Sequence, residues 1–103
     1  MMNHIVLTEA VFYTLLVLHK PLHGYGIMQE TKALTNDRLN LSAGTLYGAL
    51  STMLEKGWIK ALPVEEESRR KEYIITPKGK QVVQAEWRRL QELVTNGEKF
   101  LNL

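Results

Sequence analysis

SAGTLYGALSTMLEKGWIKALPVEEESRRKEYIITP, residues 42–77, changes its hydrophobic period twice, and those two changes decide the fold. Ser42 is a residue type that caps helices, and beyond it Leu46, Leu50, Met53 and Leu54 recur at helical spacing. Thr45, Gly48, Ser51, Thr52 and Glu55 fall largely on other faces of that helix. Gly57 supplies a natural stop, and the period then shortens toward two. Trp58 to Leu62 and Lys71 to Ile75 read as short strands, paired antiparallel as a hairpin around the polar segment Pro63 to Arg70. Thr76-Pro77 restores helical character, because threonine caps and proline tolerates the first helical position, where its missing N–H costs nothing. Gly44 and Gly48 each weaken the first helix by roughly 0.8–1.0 kcal/mol relative to alanine, which asks for a close approach or for compact packing.

Upstream, Thr8 caps a helix expected to run to about His19, with Pro21 as its stop. Val11, Leu15 and Leu18 keep the helical period while Phe12, Leu16 and Val17 widen the apolar surface, the pattern of a helix buried on several sides. A second helix, Gly24 to about Leu34, puts Tyr25, Met28 and Lys32 on one stripe, with the Tyr25 ring expected between helices. Asn36, Asp37 and Asn40 compete for local hydrogen bonds and mark a connection over residues 35–41. Downstream, a helix from Pro77 to about Asn96, ended or frayed by Gly97, would be roughly 30 Å long at 1.5 Å per residue. Val83, Trp87, Leu90 and Val94 alternate four- and three-residue spacing on it, the signature of a seam against another helix.

The 103 residues suffice for one core, and 45% hydrophobic composition fills it. Thirteen Lys and Arg against eleven Asp and Glu leave a formal charge of +2, which permits an anionic partner without demanding one. The absence of cysteine removes disulfides, thiolate nucleophiles and Cys-based metal sites. His4, His19 and His23 form no metal or catalytic constellation and read as turn and capping residues; no metal, no cofactor and no enzymatic activity are expected. The apolar stretch Val11 to Leu18 falls far short of the roughly 20 residues a membrane span requires, and the start lacks a secretory signal, so a cytoplasmic location is expected.

Three helices, a hairpin and a long helix make a mainly α fold with a small antiparallel β-hairpin: a winged helix-turn-helix over residues 1–76, plus a dimerisation helix and tail over 77–103. In that fold the helix after Ser42 enters the major groove of DNA and the segment around Arg69 forms a wing along the phosphates. Leu22-His23-Gly24-Tyr25-Gly26-Ile27, Ser42-Ala43-Gly44-Thr45-Leu46-Tyr47, Glu55-Lys56-Gly57-Trp58-Ile59, Arg69-Arg70-Lys71-Glu72-Tyr73 and Ile75-Thr76-Pro77-Lys78-Gly79-Lys80 together resemble the PadR family of bacterial transcriptional regulators, over nearly the whole chain from Leu7 to about Leu90. With one C-terminal helix the chain resembles the short members, which dimerise through that helix. The resemblance implies a homodimeric repressor of double-stranded operator DNA, in some members responsive to small aromatic or multidrug ligands.

The expected DNA contacts are Ser42, Thr45, Tyr47 and Ser51 on the reading helix, Arg69, Arg70 and Lys71 on the wing, and Lys32 and Arg38 toward phosphates. Bland roles compete: Ser42 as a cap, Tyr47 with its ring turned inward, the wing cations balanced by Glu65, Glu66 and Glu67. Phe12, Val83, Trp87, Leu90 and Val94 are expected at a dimer interface or at an aromatic-ligand pocket within it, with a buried intrachain role for Trp87 as the remaining reading. A winged-helix protein-interaction module without DNA binding is the alternative function.

Overall fold

The structure is a computed structural model that describes residues 5–63 and 70–103. Its elements run α1 (Glu9–Val17), β1 (Leu22–His23), α2 (Gly24–Leu34), α3 (Ala43–Glu55), β2 (Ile59–Ala61), β3 (Glu72–Ile75) and α4 (Pro77–Leu101). Each α-helix begins on a side-chain cap. Thr8, Ser42 and Thr76 accept the backbone N–H three residues on, from Val11, Thr45 and Gly79 at 3.1–3.2 Å. His23 does the same for α2 through Nδ1, which accepts from Gly26 at 3.1 Å. These bonds occupy donors that the helix itself leaves unpaired.

The turn between α2 and α3 is made by Asn36 and Asp37, both in the left-handed region at φ 51° and 67°, a conformation that short polar side chains tolerate. Thr35 steadies it by accepting the Leu39 N–H at Oγ1, 2.9 Å. Gly57, at φ 74°, ends α3, and the Trp58 N–H then reaches back to the Met53 carbonyl at 3.0 Å.

The expected hairpin is present, with β2 and β3 in the register Ile59↔Ile75, Lys60↔Ile74, Ala61↔Tyr73. It is extended by β1, which pairs Leu22 with Tyr73 and His23 with Glu72, so the sheet is three-stranded in the order β1-β3-β2. Two residues carry no readable period, and β1 exists because β3 offers it an edge. Leu15, Leu18, Ile27, Leu46, Leu50, Met53, Trp58, Ile59, Ile75 and Val83 form the core that the helices and sheet share. No helix among the described residues is long and apolar enough to cross a membrane.

Three expectations about side chains and helix ends are corrected. Val83 is 2% exposed and belongs to the core of its own chain, not to an outer seam. The reason lies one turn earlier: a Cβ on Gly79 would stand 2.0 Å from the Trp58 carbonyl oxygen, so glycine lets α4 lie directly on the backbone entering β2 and turns Val83 inward. Tyr25 is 57% exposed, because Gly24, Gly26 and Ile27 form the packed side of α2. Helix α4 does not stop at Asn96; it continues through Gly97 to Leu101 and is capped by left-handed Asn102.

Candidate nucleic-acid interface

Helix α3 divides cleanly. Leu46, Leu50 and Met53 are buried, whereas Thr45, Tyr47, Gly48 and Ser51 face outward. A Cβ at Gly44 or Gly48 would meet nothing within 4 Å, so no packing within the described chain accounts for either glycine. Ser42 spends its oxygen on the cap and donates to Thr45 Oγ1 at 3.0 Å, which makes it a positioning residue for the first turn. Tyr47 is half exposed, with its hydroxyl set over the start of α2: a Cβ on Gly24 would lie 2.5 Å from the Tyr47 Oη.

That hydroxyl overlooks a cleft of about 490 Å³ lined by His23, Gly24, Tyr25, Tyr47, Arg70, Lys71 and Tyr73. The sheet builds it. Strand β1 carries His23 to the mouth, β3 follows directly on Arg70 and Lys71, and α3 supplies Tyr47. Arg70 Nη1 stands 3.5 Å from His23 Nε2. Burial, reinforced by the neighbouring Tyr47, pushes the Tyr73 phenol above its ordinary value, so the floor of the cleft stays uncharged. Arg69 lies outside the described residues, as do Glu65, Glu66 and Glu67.

The remaining expected contacts separate. Lys32 is exposed beside Tyr25, Gln29, Asp37 and Asn40, at the turn that leads into α3. Arg38 is instead tied to Glu9 at the start of α1; that hydrogen bond and the opposite charge hold the Glu9 carboxyl below its usual range.

Along α4, Trp87 is 51% and Val94 61% exposed, while Leu90 is partly buried. The three line a groove of about 510 Å³ with Gln91, Thr95 and Glu98. Trp87 is therefore not a core residue. Phe12 packs partly buried against the core, its ring edge-on to Tyr13 at 6.0 Å. Sequence reasoning passed over Glu86, which is 2% exposed and accepts from Arg89 Nε and Nη2 and, at 2.7 Å, from the Leu7 N–H. Those bonds, the arginine's foremost, hold its carboxyl below the usual range against the opposing effect of burial. The three-residue spacing to Arg89 was the available signal. Among the described residues no cluster of three or more His, Asp or Glu could hold a metal ion.

Comparison with known proteins agrees with this geometry. Residues 14–85 match the sequence model of the transcriptional regulator PadR-like family. A PadR-like transcription factor from Bacteroides fragilis is 30% identical, with 84% of this chain and 86% of that one covered and a TM-score of 0.65. A transcriptional regulator from Clostridium thermocellum is 26% identical over 91% of this chain and 89% of its own, with a TM-score of 0.69. A PadR family transcription regulator from Clostridium difficile R20291 is 25% identical over 88% and 97%, with a TM-score of 0.71. A curated relative, a 37.1 kDa protein of transposon TN4556 in Streptomyces fradiae, is 35% identical over 66 residues, and the chain spans 18% of its length.

Proposed function

The chain belongs to the PadR-like family of transcriptional regulators, and from that premise we propose that it acts as a homodimeric repressor of a pseudo-palindromic operator. Its coarse activity is that of a winged-helix DNA-binding regulator rather than an enzyme. One observation carries the finer reading: the same head that presents the open polar face of α3 continues into a helix whose exposed Trp87 and Val94 form, with Leu90, an apolar stripe. Pairing two copies along α4 removes that stripe from water and joins two reading helices in one molecule.

In this arrangement each α3 reads one half-site, with centres about 34–36 Å apart, one turn of duplex. Thr45, Tyr47 and Ser51 face the groove; Arg70, Lys71 and Arg69 follow the phosphates, and Lys32 approaches the backbone from the α2–α3 turn. Ser42 holds the first turn of α3 in place. Bound protein obstructs polymerase access without chemistry on the DNA. A small aromatic effector fits the groove beside Trp87, stacking where the two copies meet, and releases the operator by favouring a different dimer geometry.

The test is selection of duplexes from random sequence by the purified chain. Stoichiometry and salt slope are then measured for the native chain and for Arg69→Ala/Arg70→Ala. Two chains per selected duplex, with a shallower salt slope in the variant, support the reading. A folded protein that selects no sequence, or binds as a single chain, overturns it.

A further inference from the structure

At the mouth of the cleft between α2, α3 and the foot of the wing, two solvent-exposed donors from different elements stand side by side. His23 caps α2 by accepting the Gly26 N–H at Nδ1. A ring nitrogen that accepts carries no proton, so in neutral imidazole the proton sits on Nε2. Nε2 stands 3.5 Å from Arg70 Nη1, and a guanidinium has donors only. Two donors thus face one another at the mouth of the cleft.

The other groups lining it supply no negatively charged acceptor. Lys71 is a donor, burial holds the Tyr73 phenol above its ordinary value, and no carboxylate among the described residues lines the cleft. Glu72, the register partner of His23, is exposed and joins no ion pair among those residues. The start of α2 adds the positive end of a helix dipole on the same side. An acceptor oxygen bearing negative charge would satisfy His23 and Arg70 together.

We propose that this cleft seats one DNA backbone phosphate in each half-site, held by His23 Nε2–H, Arg70 and Lys71 beneath the Tyr47 hydroxyl. The inference rests on the reading of the chain as an operator-binding dimer. DNA is favoured over a free phosphorylated ligand by position: Tyr47 comes from the reading helix and Arg70 leads out of the wing. A phosphate here lies on the strand that passes between those two elements. His23 then has two tasks, fixing the start of α2 with one nitrogen and the register of the duplex with the other.

The experiment uses the full chain and its selected duplex at one fixed pH. His23→Asn keeps an oxygen at the capping position, asparagine being among the best N-caps, but has no atom where Nε2 stood. Arg70→Gln removes the charge. Each variant should bind the duplex about tenfold more weakly, the loss of one charge-assisted hydrogen bond, while melting as the native protein does. Arg70→Gln should also lower the salt slope by about one per half-site, and His23→Asn should leave it unchanged. Replacing backbone phosphates one at a time by neutral methylphosphonate should reveal one position per half-site that weakens the native chain and leaves the combined His23→Asn/Arg70→Gln variant indifferent.

Native affinity in both variants, with selection of DNA intact, overturns the proposal while sparing the repressor reading. The same follows if the double variant retains native sensitivity at every methylphosphonate position. Inorganic phosphate that perturbs the His23 ring resonances without DNA, and competes with the duplex at constant ionic strength, would assign the cleft to a free ligand and overturn the DNA assignment. Failure of the native chain to select any duplex would remove the reading on which this rests.

Discussion

Gly48→Ala should make the protein more stable and a poorer binder of DNA. Gly48 lies in the interior of the 13-residue helix α3, on its outward face, and a Cβ there meets nothing within 4 Å. Within the chain, the substitution brings only the difference in helix propensity, roughly 0.8–1.0 kcal/mol in favour of alanine. For a domain of this size about 1 kcal/mol raises the melting temperature by roughly 4–8 °C. In the proposed complex the same methyl group would lie between the backbone of α3 and the groove. Lifting the helix by part of a methyl diameter loosens contacts worth about 1–3 kcal/mol each, a fall in affinity of roughly tenfold or more. Thermal unfolding and titration of the selected duplex, on the same preparation, give the two signs independently. A variant that melts higher but binds with native affinity refutes the placement of this face against DNA. A variant that melts lower refutes the propensity argument, and with it the claim that nothing in the fold requires this glycine.

Gly79→Ala is the opposite case: its Cβ would stand 2.0 Å from the Trp58 carbonyl oxygen and 2.8 Å from Ile75 Cγ1. Backbone must move, at a cost of about 1–3 kcal/mol or more, and a native melting temperature would contradict the close approach of α4. Glu86→Gln tests the buried carboxylate through pH. Arg89 and the Leu7 N–H lower the folded pKa, so its contribution to stability is complete above the ordinary carboxylate range and is lost as pH falls through the lowered value. The gap in unfolding free energy between native and variant should therefore narrow from neutral to acidic pH; a gap that stays constant refutes the charged role. Trp87→Ala should leave the fold intact, since the side chain is outside the core, while raising the dimer dissociation constant about 30-fold or more, as for an interface residue worth 2 kcal/mol. Sedimentation across a concentration series checks it, and an unchanged constant would place the interface elsewhere.

What the sequence disclosed and withheld follows from range. Thr8, Ser42 and Thr76 were legible as caps because the bond each makes is to a residue three positions away. The reading helix was legible because Leu46, Leu50 and Met53 repeat along one element. The split within the apolar stripe of α4 was not legible. Val83 and Trp87 sit on the same repeat, yet one is covered by its own head and the other is half exposed. What separates them is the contact between Gly79 and the Trp58 backbone, across 21 positions of sequence, which no periodicity records. Tyr25 was misplaced for a related reason, since α2 packs through glycines, which leave no hydrophobic mark. Strand β1 depended on a partner formed later in the chain, and His23 could be read as a cap but not as the neighbour of Arg70, 47 positions away.

In the proposed dimeric repressor, the continuity of α4 would set how the protein is switched. The 25 residues of α4 run without interruption from Pro77 to Leu101, through the Gly79 contact, and Glu86, which fastens Leu7, is adjacent to Trp87, where the exposed stripe begins. Head and seam are thus parts of one rod, and a change in how two rods cross must reappear at α3. A rotation of about 10° on an arm of about 17 Å, half the spacing of successive major grooves, moves a reading helix about 3 Å, close to one base-pair step. The effector proposed beside Trp87 would therefore need no hinge and no unfolding. It needs only to bind more tightly to a crossing angle that places the two α3 helices about one base pair out of register.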